Sequence, residues 1–297
     1  MGTSALTSAV STSRDSSLVK TIRLRVALVS GVLLSILIIW LYAHTTWKLF
    51  EDWWTRDEAS YGMLIPPIAA YIAYARRRST FGIPARLDAR GLLGVAAACL
   101  LFLVGKLGAE FFLSRLSLVV LLGGVAWTFW GLPRTRSLAF PLLLLATMVP
   151  LPVLIYNSLA FPLQLVASEA SASIIRFFGE SVYRDGNVLQ LAHTTLGVAE
   201  ACSGLHSLAS LVVASLILSF VECTRTWTRF LVVALSIPMA IGMNVLRVTG
   251  TAFLADIDQR YAEGFYHSFS GWVIFVAGLG LLWVLAKALR IVAERIL

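Results

Sequence analysis

Charge is scarce in this sequence: Asp, Glu, Lys and Arg make up 13% of its 297 residues, where soluble domains carry about 25%. Apolar residues fill the gap, at 58%. Too little charge is left to solvate the surface of a soluble domain, so most of the chain has to face hydrocarbon. Cysteine is equally sparse. Cys99, Cys202 and Cys223 show no paired spacing, which excludes a disulfide framework and a zinc site, and no residue pattern asks for a cofactor. The Ser- and Thr-rich start, Met1 to Ser17, lacks an apolar leader and reads as a disordered tail, not a signal peptide. Lysine occurs four times among 24 basic residues, and the net charge is +8. In a soluble protein that charge would suggest nucleic acid; here its distribution along the chain matters more than its sum.

What is present is a succession of apolar runs from Val26 to Leu289, each suited to about 30 Å of hydrocarbon. The reading is an all-α, polytopic integral membrane protein: a cytoplasmic tail over residues 1–25 and one transmembrane domain over residues 26–297. About eight spans are expected, at Val26–Ala43, Tyr61–Ala75, Gly91–Ala109, Leu113–Gly131, Ser137–Tyr156, Ser203–Val221, Phe230–Ala255 and Ser268–Leu289. With the N-terminus inside, 16 of the 24 basic residues fall on the cytoplasmic side, among them Arg76, Arg77, Arg78, Arg134, Arg225 and Arg229. Acidic residues such as Asp52, Asp57, Asp185 and Asp256 collect on the other side, so the positive-inside bias sets the orientation and places both termini in the cytoplasm. The bilayer is thus the first partner, and the basic residues require no nucleic acid.

Two outer segments are more than connectors. His44 to Ser60 carries Trp47, Trp53 and Trp54, which suit an aromatic belt at the headgroups. Asn157 to Ala201 opens with Leu159, Leu163, Val166, Ala170, Ile174 and Phe177 at helical spacing, opposite Gln164, Ser168, Glu169 and Arg176. An outer interfacial amphipathic helix follows from that pattern; a full crossing would put Arg225 and Arg229 outside. Beyond it, Arg184-Asp185-Gly186-Asn187 signals a turn, and Val188–Leu191 with Thr195–Val198 form a short hairpin.

Three polar residues on successive spans fall near one depth on the outer side. Cys202 stands in Glu200-Ala201-Cys202-Ser203-Gly204, at the outer start of the sixth span, where orphan backbone N–H groups favour a thiolate. Cys99 and Cys223 read as small packing residues. Arg247 lies inside the seventh span, where a guanidinium costs at least about 2.5–3.5 kcal/mol, so it calls for a function; Asn244 shares its helical face. His267 opens the eighth span. Of the other histidines, His44, His193 and His206, the last is a rival, because it lies four residues after Cys202 on one helical face. Together a thiol, an imidazole and a fixed cation are the parts of acyl transfer through a thioester.

At these residues the sequence resembles the exosortase/archaeosortase family, the bacterial exosortases in particular. The family's A-C-S-G, N-x-x-R and downstream His correspond to Ala201-Cys202-Ser203-Gly204, Asn244-Val245-Leu246-Arg247 and His267. The resemblance continues through Ser60-Tyr61-Gly62-Met63-Leu64-Ile65-Pro66, Pro150-Leu151-Pro152, Pro162-Leu163-Gln164 and Arg184-Asp185-Gly186-Asn187, with Tyr61 where the family often has His. It implies catalytic roles for Cys202, Arg247 and His267, with Asn244, Ser203, Gly204 and Glu200 as supporting residues, and it favours His267 over His206. The implied activity is that of a membrane cysteine protease or transpeptidase that cleaves PEP-CTERM-like sorting signals: a short Pro-Glu-Pro-like motif, a transmembrane helix and a basic end. The implied setting is the outer face of a Gram-negative inner membrane, with membrane-anchored substrate proteins, a surface acceptor and a link to exopolysaccharide production.

In the resulting expectation Cys202 attacks the scissile carbonyl, Arg247 faces the oxyanion, and His267 moves the proton, with Glu200 or Asp256 available to orient it. The competing expectation is a transporter, or a surface-polymer assembly subunit, in which Arg247 and Asn244 bind an anionic substrate at a helix break near Pro238.

Overall fold

The computed structural model describes residue 29 and residues 31–33, 35–108, 111–198, 205–262 and 264–295. The expected tail, residues 1–25, lies outside them. Of the described residues 82% are helical. Helix α1 (Gly31–Thr55) leads into a 3₁₀ segment (Asp57–Leu64), followed by α2 (Ile65–Ala75), α3 (Arg77–Phe81), α4 (Gly91–Leu107), α5 (Phe111–Trp130), α6 (Leu132–Ser137), α7 (Ala139–Ala146) and α8 (Val153–Phe177). Strands β1 (Tyr183–Asp185), β2 (Val188–Gln190) and β3 (Thr195–Gly197) come next, then α9 (Leu205–Glu222), α10 (Thr226–Ile257) and α11 (Gly264–Arg295). Among the described residues five helices, α1, α5, α8, α10 and α11, are long and apolar enough to cross a membrane, and α4 and α9 are shorter apolar helices. This is an all-α polytopic membrane protein.

Several expected boundaries move, each for a local reason. Helix α1 runs past Ala43 to Thr55, so the segment from His44 is helical through all three tryptophans. Trp47 and Trp54 are exposed as a headgroup belt requires, but the Trp53 indole donates to the Met148 carbonyl at 3.0 Å, and a Cβ on Gly62 would collide with it. Trp53 is a packing residue. The expected span Ser137–Tyr156 is not one helix: α7 ends at Ala146, and the chain passes through Pro150 and Pro152 before α8 begins. Proline disfavours helical φ and ψ at the residue before it, and two prolines within three residues account for the break. In contrast, α10 runs unbroken through Pro238, so the helix break invoked for a transporter is absent from this helix.

Contacts divide the chain into two units, Met1–Glu51 and Asp52–Leu297. In the first, the Lys48 ammonium pairs with Glu51 at 2.8 Å, and Val32, Ile36, Ile39 and Trp40 present apolar surface outward.

In the second, one end is marked by arginines on aromatic rings. Phe220 of α9 stacks on Phe140 of α7 at 3.6 Å, with the guanidinium carbons of Arg76 and Arg229 at 4.1 and 5.0 Å from the Phe220 ring centre. Arg134 stands 4.2 Å over Phe81, which α3 carries just beyond α2. The C-terminal ends of α2 and α9 and the N-terminal end of α10 therefore meet here, so arginines that the charge pattern assigns to one side do share one end. The opposite end holds the start of α5, where Arg115 pairs with Asp52 at 2.7 Å. Between them α4 and α5 pack through glycine: a Cβ on Gly124 would lie 2.6 Å from the Val95 nitrogen and 2.7 Å from the Gly94 carbonyl carbon.

Helix α8, expected to lie at the interface, has the length and composition of a membrane span. Val153 and Leu154 line a cleft with Asp52 and Arg115, while Phe178, just past the helix, meets Phe253 near the C-terminus of α10 at 5.9 Å. These contacts put the start of α8 beside Asp52 and Arg115 and its end beside the C-terminal part of α10. Its apolar residues Leu159, Val166 and Phe177 point outward, and small or polar ones turn inward: Ser171 donates to the Val245 carbonyl at 3.2 Å, and Ser168 to that of Gly186 at 2.9 Å. Glu169 and Arg176, expected opposite the apolar stripe, are exposed.

The expected hairpin forms, with β1 as a third antiparallel strand. Leu189 pairs with Leu196 and Asp185 with Val188, which leaves Gly186-Asn187 as a two-residue turn with Gly186 at φ 59°. Leu189, Leu196 and Val198 bury themselves against Ala172 and Ile175 of α8 and Val248 and Ala252 of α10.

Candidate active site

Helix α10 carries Asn244 and Arg247 three residues apart, so both emerge on one face, as expected. That face looks into a narrow cleft closed by α9 through Ser207 and Leu211 and by α11 through Gly271, Phe275 and Gly278. The space open to the centre of a water molecule is about 20 Å³, enough for one water. Asn244 is 94% buried, and its Oδ1 has no hydrogen-bond partner among the described residues. A buried amide oxygen without a partner costs about 1–3 kcal/mol, and the cleft has room for a water that can donate to it. Arg247 is half-buried, and its guanidinium rests against Gly271.

The antiparallel run of α10 and α11 sets the depths. Arg247 is level with Gly271, and Met243 with Gly278, where its Cγ would lie 3.4 Å from an added Cβ. His267 is four residues before Gly271, one turn nearer the start of α11. Its side chain lies outside the described residues, as does that of His206 on α9. Cys202, Glu200, Ser203 and Gly204 also lie outside them. In sequence, Cys202 precedes the cleft residue Ser207 by five positions.

The remaining candidates are accounted for elsewhere. Cys223 is buried, its thiol 3.9 Å from the Ala286 carbonyl, and packs with Val232 and Leu282; Cys99 is exposed on α4, so it is not a packing residue. Asp256, a candidate to orient the histidine, accepts the backbone N–H of His193 at 3.2 Å and so ties the β2–β3 turn to α10. Three residues passed unnoticed in the sequence, two of them in the cleft. Ser207 carries no motif, whereas Gly271 is signalled by its position one turn after His267. The other is Arg115, which with Asp52, Arg56 and Glu58 forms an ion-pair chain (2.7, 3.8 and 2.8 Å) beside Phe111 and Pro150.

A family model, transmembrane exosortase (Exosortase_EpsH), matches residues 53–284. The chain belongs to the transmembrane exosortase family. The match contains α2 to α10, the cleft and the three residues singled out above. No curated protein and no solved structure matches the chain. Membership in the exosortase family supports a role as a membrane protein-sorting transpeptidase.

Proposed function

We propose that this exosortase-family protein is a cysteine transpeptidase that cuts C-terminal sorting signals of membrane-anchored proteins, with Cys202 as nucleophile, Arg247 as oxyanion partner and His267 as proton shuttle. The observation that carries the reading is the Arg247 cleft: a guanidinium and the buried Asn244 amide held on α10 between α9, which begins three residues after Cys202, and α11, whose first turn holds His267.

In the reaction, His267 takes the thiol proton and the Cys202 sulfur attacks the scissile carbonyl carbon. The carbonyl oxygen becomes an anion facing the Arg247 fork, which is strongest where water is excluded. The C–N bond then breaks, the leaving amine takes the proton from His267, and a thioester to Cys202 remains. Water or an acceptor amine attacks that thioester; His267 accepts its proton and returns it to the thiol. The substrate reading is a tail with a short Pro-Glu-Pro-like motif, an apolar helix and a basic end, processed at the outer face of a Gram-negative inner membrane with both termini of the enzyme inside. The arginine-marked end, opposite the Asp52–Arg115 end, supports that orientation.

The test is a reporter ending in such a tail, expressed with Cys202→Ala and Cys202→Ser variants. Both variants should insert normally and process nothing, because a hydroxyl in a site built for a thiolate is a far weaker nucleophile. Full processing by Cys202→Ala would remove the cysteine from the mechanism.

A further inference from the structure

Across the cleft the Arg247 guanidinium rests against a residue without a side chain, Gly271. A Cβ added to Gly271 would lie 2.8 Å from Arg247 Cζ and Nη2 and 3.2 Å from Nη1, inside the 3.5–4.0 Å at which carbon contacts are favourable. Backbone geometry does not call for glycine here: Gly271 is inside α11 and is not among the glycines with positive φ. Helix propensity disfavours it, since alanine is the better helix former. What the position requires is the absence of a methyl group.

We propose that Gly271 is a positioning residue for Arg247, its bare α-carbon forming the floor on which the guanidinium is held at the depth of the cleft. The proposal rests on the reading of Arg247 as the oxyanion partner. The atoms that would have to yield to a methyl are the end of a flexible side chain, not backbone, so the helices can stay packed while the guanidinium moves by roughly 1 Å. A displacement of that size at a reacting centre costs on the order of 100-fold in rate.

The same helix provides the control. A Cβ on Gly280 meets nothing within 4 Å, so Gly280→Ala makes the same chemical change without the clash. In membranes carrying the Pro-Glu-Pro-tailed reporter, Gly271→Ala should accumulate and resist thermal unfolding at least as well as the parent, yet lower kcat on the order of 100-fold with KM changed less than twofold. Gly280→Ala should process at the parental rate. Processing by Gly271→Ala within twofold of the parent, while Arg247→Ala is inactive, would overturn the positioning role and leave the proposed function intact; an active Arg247→Ala would overturn that function itself. Should Gly271→Ala fail to accumulate, the double variant Arg247→Ala/Gly271→Ala decides: recovery once the guanidinium is removed supports the contact, and no recovery refutes it.

Discussion

Arg247 and Asn244 occupy one cleft wall but ask for different chemistry. A guanidinium is a donor-only fork, whereas an amide offers both a donor and an acceptor. Arg247→Lys keeps the charge and loses the planar pair of donors, so we expect processing to fall at least tenfold with normal insertion, measured as reporter cleavage per unit of enzyme. Asn244→Leu fills the same volume without a buried polar oxygen. Thermal stability in detergent should then stay level or rise, because an unsatisfied group is removed, while cleavage drops. Stability up with cleavage unchanged would reduce Asn244 to a tolerated packing defect. For the proton shuttle, His267→Ala should abolish cleavage and His206→Ala leave most of it; the reverse ranking would move the shuttle onto α9.

At the scale of the elements, glycine governs how closely helices approach. Gly124 sits against the backbone of Gly94 and Val95, which has no flexible end to yield, whereas a Cβ on the adjacent Gly123 would meet only the Leu142 side chain at 3.7 Å. Gly124→Ala should therefore force α4 and α5 apart, at a cost of about 1–3 kcal/mol typical of overpacking, and Gly123→Ala should be neutral. Melting of the two purified variants in detergent checks this, and equal melting temperatures would refute it. The α8 helix makes a related point. Its apolar stripe was legible as a periodicity, but in a membrane that stripe faces outward and the small residues Ala160, Ala167 and Ala172 pack inward, the inverse of a soluble amphipathic helix.

For the whole molecule, orientation is the open physical variable. The positive-inside bias puts Arg76 to Arg90 and Arg225 in the cytoplasm and Tyr183 to His193 outside. Single cysteines placed in those segments should react with an impermeant maleimide only after lysis in the first case and on intact cells in the second. Labelling of the Tyr183–His193 segment only after lysis would invert the topology and with it the proposed outer-face chemistry.

By itself the sequence determined the class of protein, its helical membrane character, the grouping of its arginines, the Gly186-Asn187 turn and the family to which the motifs around Cys202, Arg247 and His267 belong. These follow from composition, periodicity and short-range motifs, each read within a few turns of chain. The tertiary structure decided what depends on contacts between distant segments: that the chain breaks at Pro150 and Pro152 but not at Pro238, that Trp53 packs on Met148, that Arg115 meets Asp52, and that Gly271 faces Arg247. A proline's effect depends on whether neighbouring helices satisfy the freed carbonyl, and a glycine's meaning depends on what lies across from it, so neither can be read from one segment alone.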